Sequence, residues 1–436
     1  MKKLKSYLSY AILAGIATQA SISNADEVRQ IDLVTNDLIY NPVDEKIYAS
    51  IPGSQGANGN SIVTIDPVTG AIGSFVYVGS EPNELALSDN GEYLYIDLSG
   101  SASVVPYHIP TMTAQAPIVL GDDQFFGPLY AEDIEVQPGN PNVIAVSLKR
   151  LGVSPKHGGV AIFENGVKLP NATPNHSGSN VIEFGFDPNV LYGYNNESTG
   201  YGFRTMEIDE TGVSILDSIK TAISGFNVDI EFEDGVVYST SGDAIDPVTG
   251  NPLGSFANVN FADAIAVDSV RDKVYFLDNG EIQTFSKKTY IFEKAEFYGG
   301  TNTDNLVLWG ESGLAYSTAD QVILVSEETP TKLSLHPSSG KFISTQNFDF
   351  AAVVTGPNQV IDFSASVGNV DITNVLSNCI LGGNELQQKT LRCAGFGNRL
   401  VQELGNGPHA VDMVIGLDNA TKMEASVTWE FINTTE

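Results

Sequence analysis

Short runs of alternating apolar and polar residues cover most of the chain, and Gly, Pro, Asn and Asp separate one run from the next. This period of two is typical of β-strands, and the periodicity of amphipathic helices is almost absent. The segment from Glu81, EPNELALSDNGEYLYI, shows the pattern as a strand, a turn at DNG and a second strand. The sequence therefore predicts an all-β protein rich in antiparallel hairpins.

The strand–turn–strand unit is repeated. Copies begin at Asn36, Glu81, Glu132, Asn180, Val228, Phe261 and Thr303. From one equivalent residue to the next, the spacings are 47, 49, 48, 48, 35 and 41 residues. Repeats of about 40 to 50 residues are typical of propeller blades. In a propeller, four-stranded sheets around one axis bury both faces against their neighbours. The repeat therefore predicts a seven-bladed β-propeller.

One turn sequence occurs twice, as IDPVTGAIGSF from Ile65 and as IDPVTGNPLGSF from Ile245. Pro presets φ for the first turn position, Asp accepts a nearby backbone N–H, and Gly adopts the left-handed conformation of hairpin turns. Both copies are predicted to join the third and fourth strands of a blade. The turn residues are Asp66, Pro67, Gly70, Asp246, Pro247 and Gly250.

The last repeat shows only three strands, near 305–309, 313–318 and 321–326. The strand VRQIDLVT, at 28–35, has no blade of its own. We expect it to supply the outer strand of the seventh blade, so that the two ends of the repeat region close the propeller.

The N-terminal residues 1–25 have a Lys-rich start, an apolar run at 11–17, and small residues Ser23 and Ala25 before Asp26. This pattern predicts a secretory signal peptide that is cut before Asp26. The apolar run is too short to cross a bilayer, and no later stretch is apolar enough. The sequence thus predicts an exported protein, periplasmic or extracellular, with no transmembrane segment after cleavage.

The C-terminal residues 331–436 follow a different pattern of short alternating strands. About 100 residues of this kind, with a Trp and a local Cys pair, predict an Ig-like β-sandwich. Cys379 and Cys393 are the only cysteines, and in an exported protein they predict a structural disulfide. The predicted domains are thus a signal peptide at 1–25, a propeller at 26–330 and the sandwich at 331–436.

The net charge is −31, and loss of the three Lys in residues 1–25 would make it −34. Phosphate backbones are repelled by such a surface, which argues against nucleic acid as a partner. The excess of acids suits a well-solvated surface. Clustered carboxylates are also the ligands that Ca²⁺ or another divalent cation needs, although no cofactor is certain from the sequence.

One set of aligned positions is rich in acids. The residues just before the apolar core of each first strand are Asp37, Glu84, Asp133, Val181, Asp229, Ala264 and Asn305. In a propeller these ring positions lie at one radius near a mouth of the central channel. Two interpretations are open: Asp37, Glu84, Asp133, Asp229 and Asn305 bind a divalent cation or a cationic or hydroxylated ligand, or they solvate strand starts and bond the neighbouring backbone.

At EPNELALSDNGEYLYI the chain resembles the bacterial YVTN/YncE-like β-propeller family, in which a Pro precedes the inner strand and a strand with Tyr follows Asp-Gly. The resemblance covers about 28–329. It implies the propeller fold, and it leaves the function open because the family includes binding proteins. The tail resembles Ig-like modules appended to exported bacterial proteins.

The five histidines are scattered, and the chain has no HExxH, GxSxG or CxxCH motif. The leading interpretation is therefore a non-enzymatic scaffold that binds a protein, peptide or carbohydrate through its loops and channel mouth. The first alternative is a metal-dependent hydrolase similar to SMP-30-like lactonases, which would use the acidic ring. The second alternative is a structural component of the cell surface.

Overall fold

The computed structural model describes residues 21–22, 27–221, 223–326, 331–336, 340–343, 350–355, 360–367, 370–376, 379–383, 388–393, 400, 402, 405, 407–417 and 422–432. The chain forms two compact units. The larger one comprises residues 27–326, and the smaller one comprises residues 327–436 together with residues 1–26. Apart from residues 21 and 22, the predicted signal peptide lies outside the described residues.

The larger unit is built of antiparallel sheets, named A to G here; the strands of sheets A to F follow chain order, and sheet G includes the N-terminal strand at its outer edge. Sheet A contains Asp37–Asn41, Lys46–Ile51, Ser61–Ile65 and Val76–Tyr77. Sheet B contains Pro82–Leu87, Tyr93–Leu98, Ser103–His108 and the short strands Thr113–Ala114 and Ile118–Val119. Sheet C contains Tyr130–Val136, Val143–Lys149, His157–Glu164 and Val167–Ala172. Sheet D contains Val181–Phe184, Val190–Tyr194, Phe203–Asp209 and Gly212–Ile219.

Sheet E contains Ile230–Glu233, Val236–Ser239, Asp243–Ile245 and Pro252–Ser255. Sheet F contains Ala264–Asp268, Lys273–Asp278, Glu281–Ser286 and Phe292–Phe297. Sheet G contains Asp304–Trp309, Gly313–Ser317, Gln321–Ser326 and Glu27–Asp32. A bridge between Asn171 and Gly212 joins sheets C and D at their outer strands. The remaining elements are a small hairpin, Asp122–Asp123 with Gly127–Pro128, and 3-10 turns at Gly53–Asn58 and Ile109–Thr111.

The N-terminal strand Glu27–Asp32 completes sheet G as its outer strand. It runs antiparallel to Gln321–Ser326, with Glu27 opposite Ser326 and Asp32 opposite Gln321. The beginning and the end of the larger unit are therefore held together by one strand pair.

The first strands of the sheets form a closed succession. Each contacts the first strand of the next sheet, and Asp304–Trp309 of sheet G contacts Asp37–Asn41 of sheet A. The apolar core is divided accordingly, because each buried cluster joins the facing sides of two consecutive sheets. Because both faces of each sheet are buried in this way, the inner strands are buried at consecutive positions, as in Lys46–Ile51 and Val143–Lys149.

The two IDPVTG turns have the same hydrogen bonds. Asp66 Oδ1 accepts from the N–H groups two and three residues later, and the Gly70 N–H donates to the Asp66 carbonyl. Asp246 and Gly250 repeat this arrangement. The glycines have φ of 72° and 71°, which is the left-handed region. Both turns connect the third and fourth strands of their sheets.

The smaller unit contains two five-stranded sheets. In sheet order, one contains Ser21–Ile22, Thr331–His336, Phe350–Thr355, Gln388–Cys393 and Cys379–Gly383. The other contains Gly340–Ile343, Lys422–Ile432, Gly407–Leu417, Val360–Val367 and Val370–Asp371, with a 3-10 turn at Thr373–Leu376. Both sheets contribute to one core, in which Phe350 packs edge-on against Trp429. Cys379 and Cys393 lie directly opposite each other on neighbouring strands.

Candidate functional site: the acidic channel

The ring positions lie on the first strands, which surround the axis of the larger unit because they contact each other in a closed succession. The space that these strands enclose is called the central channel here. Asp37 is buried, Glu84 and Asp133 are half-buried, and Asp229 is exposed. The sequence-predicted acids are thus brought to one level of the channel, but with different access to solvent.

Asp37 and Asp133 use both of their carboxylate oxygens on backbone N–H groups. Asp37 accepts from Leu38 and, across to sheet B, from Leu85, both at 2.7 Å. Asp133 accepts from Ile134 at 2.8 Å and, across to sheet D, from Ile182 at 2.7 Å. These two residues therefore connect consecutive sheets. Their contacts match the interpretation that the acids at the strand starts bond to the neighbouring backbone.

Sheet G is tied to sheet A by an amide at the same level. Asn305 Nδ2 donates to the Asn36 carbonyl at 3.1 Å and to Ser317 Oγ at 3.1 Å. Asn36 Nδ2 in turn donates to the Pro82 carbonyl of sheet B at 2.7 Å. Polar side chains at the strand starts thus carry hydrogen bonds from one sheet to the next.

Asp229 and Glu84 are less engaged. Asp229 accepts from the next residue, Ile230, at 2.9 Å. Glu84 receives only a long bond of 3.4 Å from the Asn83 side chain. These two carboxylates are the sequence-predicted site residues that remain most open to a ligand.

Sequence reasoning missed a second group of acids, Glu135, Glu183 and Glu231, called the acidic wall here. They lie two residues after Asp133, Val181 and Asp229 on three consecutive first strands. Each is at the same register, opposite Ala145, Tyr192 and Tyr238. Because side chains of a strand alternate between its faces, residues two apart share a face. Applying that rule to the ring positions would have revealed the acidic wall.

The acidic wall is electrostatically unfavourable as it stands. Loss of bulk water and, to a lesser degree, the Asp229 carboxylate raise the pKa of Glu231 to about 8, although the Val267 N–H favours the ionised form. The pKa values of Glu135 and Glu183 are raised well above the usual range by burial and then by neighbouring carboxylates. Like charges that lie close together raise each other's pKa. A cation in the channel would relieve this repulsion and release protons.

The ring acids have the same tendency. Burial raises the pKa of Asp37 to about 8 and that of Asp133 to about 7, against the N–H donors that favour their ionised forms. Asp229 is accessible to solvent, but the surrounding protein removes part of its hydration, and this desolvation raises its pKa to about 6. The channel therefore holds several carboxylates that titrate near neutral pH.

Among the described residues, no three His, Cys, Asp or Glu side chains are grouped so that they could hold a metal ion. His157 is buried at the interface of sheets C and D, and desolvation lowers its pKa to about 3, so it is neutral. Its backbone N–H donates to Glu197, and its carbonyl accepts from Arg150. This network has the character of an internal structural cluster.

Aromatic side chains are exposed at the end of the channel where the ring positions lie. Phe125, Phe226 and Phe261 belong to the segments that lead into the first strands of sheets C, E and F, and Phe125 is 82% exposed. Phe126 lies beside the Arg150 guanidinium, whose carbon is 5.2 Å from the ring centroid. Exposed aromatic faces thus occur on the connections that precede three of the first strands, where they can contact a partner.

No protein-family model and no curated protein sequence matches the chain. Solved structures do match. The WD40 β-propeller domain of Doa1 has a TM-score of 0.53 at 12% identity, over 72% of this chain and 98% of that one. Hydrazine synthase of Kuenenia stuttgartiensis gives 0.52 at 13%, over 72% and 98%. The β-propeller domain of Cps50 (Swd1) from Myceliophteria thermophila gives 0.52 at 12%, over 70% and 99%.

These likenesses show the fold alone. The chain is all-β and contains a β-propeller, as the sequence repeat predicted. In the part of the chain that the structure describes, we find no helix with the length and apolarity needed to span a membrane.

Proposed function

We propose that this protein is an exported, non-enzymatic, seven-bladed β-propeller of the YVTN/YncE-like type that binds a protein partner at its channel mouth. Sheets A to G would be the seven blades, and the pairing of Glu27–Asp32 with Gln321–Ser326 supports closure of the seventh by the N-terminal strand. The two sheets of the smaller unit would be the Ig-like sandwich, with a disulfide between Cys379 and Cys393.

The observation that carries the proposal is the acidic wall of Glu135, Glu183 and Glu231, whose carboxyl groups repel one another on three consecutive first strands, together with exposed Phe125 and Phe226 on segments that lead into those strands. Carboxylates that are partly desolvated attract cations more strongly than exposed ones. Aromatic faces add cation–π and stacking contacts. The partner segment with complementary chemistry is a Lys- or Arg-rich loop or terminus of another protein.

The fold comparison supports this proposal only at the level of the scaffold. Two of the solved structures named above are β-propeller domains, and a scaffold of this kind is consistent with a protein partner. The charge of the chain agrees, since −31 favours basic partners and disfavours nucleic acid.

The test is a titration of the chain without residues 1–25 with a Lys/Arg-rich peptide, an acidic peptide of equal length and a neutral one. We expect saturable binding of the basic peptide alone, with an affinity that falls as salt rises. The triple variant Glu135→Gln, Glu183→Gln, Glu231→Gln should weaken binding about tenfold or more.

The matched control is Glu164→Gln, Glu207→Gln, Glu210→Gln, which makes the same three replacements at exposed positions outside the channel. It should bind the basic peptide as the unaltered protein does. Equal loss in both triple variants would mean that net charge alone attracts the peptide, and it would overturn the proposed channel site.

A further inference from the structure

A cleft of about 580 Å³ lies between sheets A and B. Its lining includes Asn41, Tyr48, Ile62, Val76, Tyr107 and Met112. Asn41 ends the first strand that Asp37 begins, so the cleft lies at the opposite ends of the first strands from the ring positions. It is therefore separate from the acidic channel mouth, and ligand pockets commonly have volumes of about 300 to 1,000 Å³.

The second copy of the turn motif lies in sheet E. There, a side chain fills the space between sheets E and F that corresponds to the cleft between sheets A and B. Val76 lies opposite Ile62, and Ile62 is three residues before Ile65, the first residue of the first motif. The Phe256 N–H donates a hydrogen bond to the carbonyl of Gly242. Gly242 is three residues before Ile245, the first residue of the second motif. Phe256 is 3% exposed and packs between sheets E and F, with its ring centroid 5.3 Å from that of Phe285. A Phe thus occupies the position that Val76 holds.

A one-residue difference between the motif copies explains the substitution. The first copy reads AIGSF where the second reads NPLGSF. Because strand side chains alternate between faces, a shift of one residue turns a side chain to the other face. Phe75 accordingly packs with the cluster between sheets A and G, and Val76 faces sheet B. The bulky residue is turned away from the cleft.

The partner sheet is also less filled. Tyr107 lies opposite Leu94, as Phe285 lies opposite Val274 in sheet F. Five residues later, Tyr290 packs against Phe256 at 5.2 Å between ring centroids, whereas the equivalent Met112 is 62% exposed. The aromatic cluster that closes the corner between sheets E and F is thus replaced by open space between sheets A and B.

The Tyr107 hydroxyl is available to a ligand. The residue is 2% exposed and lines the cleft, and no hydrogen bond of its hydroxyl occurs among the described residues. Burial raises the pKa of Tyr107, so the hydroxyl keeps its proton and can donate. A ligand oxygen in the cleft can therefore accept a hydrogen bond from this hydroxyl. The neighbouring Tyr48 hydroxyl, in contrast, donates to Asp44 Oδ2 at 2.6 Å.

We propose that this cleft binds a neutral, mainly apolar small molecule with one carbonyl or hydroxyl oxygen, which accepts a hydrogen bond from Tyr107. The apolar walls at Ile62, Val76 and Met112 provide contact area. The Lys46 ammonium is paired with Asp66 at 2.5 Å, while the Asp44 and Glu92 carboxylates of the lining accept hydrogen bonds from Tyr48 and Asn90 and would repel an anion. The site favours a neutral ligand over an ion.

The experiment uses two matched probes, acetylnaphthalene and ethylnaphthalene, which differ in a carbonyl group. Binding to the full chain is measured by saturation-transfer NMR and titration. Both should bind saturably, and acetylnaphthalene should bind about fivefold more tightly because of the bond from Tyr107. Tyr107→Phe should abolish that difference and leave the affinity for ethylnaphthalene unchanged.

Val76→Phe recreates the filled corner of sheets E and F, and it should weaken both probes at least about tenfold. Val68→Phe, in the exposed turn outside the cleft, is the matched control and should bind both probes normally. Binding that is not saturable, or an unchanged preference for acetylnaphthalene in Tyr107→Phe, would overturn the proposal. The Tyr107 variant removes a single oxygen and so tests the site even if Val76→Phe does not fold.

Discussion

The first strands of the larger unit differ at one register. On sheets C, D and E the position holds Glu135, Glu183 or Glu231, whereas on sheets F, G, A and B it holds Ala266, Val307, Ile39 or Ala86, which pack in the apolar clusters between consecutive sheets. Both groups of strands have the same pairing, so the fold does not require acids there. The carboxylates lose hydration and repel one another, which destabilises the folded state. Their presence on these three strands therefore indicates a purpose other than stability.

A second contrast exists within the acids themselves. Asp37 and Asp133 accept N–H groups from the next sheet, and the acidic wall has mostly electrostatic contacts with other acids. The first kind should stabilise the propeller, and the second kind should destabilise it. Mutation can therefore distinguish the two kinds of acid, because replacing the first kind should lower the stability and replacing the second kind should raise it.

The largest expected effect comes from breaking a tie between sheets. Asp37→Ala leaves the buried N–H of Leu85 without its acceptor, and we expect a loss of about 2 kcal/mol in the free energy of unfolding. Thermal and urea denaturation measure it. Asp229→Ala is the control, because Asp229 is exposed and is bonded to the residue that follows it; its loss should be much smaller. Equal losses would contradict the assignment of Asp37 as a tie.

The second largest expected effect is a gain in stability when the acidic wall is replaced. The triple variant Glu135→Gln, Glu183→Gln, Glu231→Gln removes the mutual repulsion while it preserves side-chain size. We expect the melting temperature at about pH 8 to rise by about 4 °C, which corresponds to roughly 1–2 kcal/mol. The variant Glu164→Gln, Glu207→Gln, Glu210→Gln should leave it unchanged. A lower melting temperature in the channel variant would show that the acidic wall stabilises the fold.

A smaller effect is the pH dependence of the unaltered protein. Carboxyl groups whose folded pKa is raised contribute stability that is fully present below their unfolded pKa of about 4 and is lost as pH rises through the folded pKa. The folded values are about 6 for Asp229, 7 for Asp133 and 8 for Glu231. Their contribution should therefore lower the melting temperature by a few degrees between about pH 5 and pH 8.

The triple channel variant should lose part of this slope, because it removes Glu231 and keeps Asp229 and Asp133, and high salt should reduce the slope in both proteins by screening. Calorimetric scans across the pH range measure the slope. If the slopes of the two proteins are the same, the acidic wall is not the source of the titration.

The repeat was easy to predict because strand alternation and turn residues are local properties. The β-propeller fold and the positions of Asp37 and Asp133 followed from aligning the copies. The acidic wall was harder, since its three Glu residues occur on only three of the aligned strands and resemble any solvated acid in a chain with 53 Asp and Glu. The cleft at Val76 could not be predicted from the sequence. It exists because a one-residue shift turns the Phe75 side chain to the face of sheet A that is opposite the cleft.

The smallest effect expected is that of calcium. Ca²⁺ takes six to eight oxygen ligands, whereas both oxygens of Asp37 and of Asp133 already accept N–H groups. Millimolar calcium should therefore act on the acidic wall mainly as a mobile counterion and raise the melting temperature by about 1 °C, as magnesium should. In the triple channel variant this rise should disappear. The opposite result would be a rise of several degrees with calcium alone that is lost in Asp229→Asn or Glu84→Gln. It would establish a specific metal site at the ring positions and not at the acidic wall.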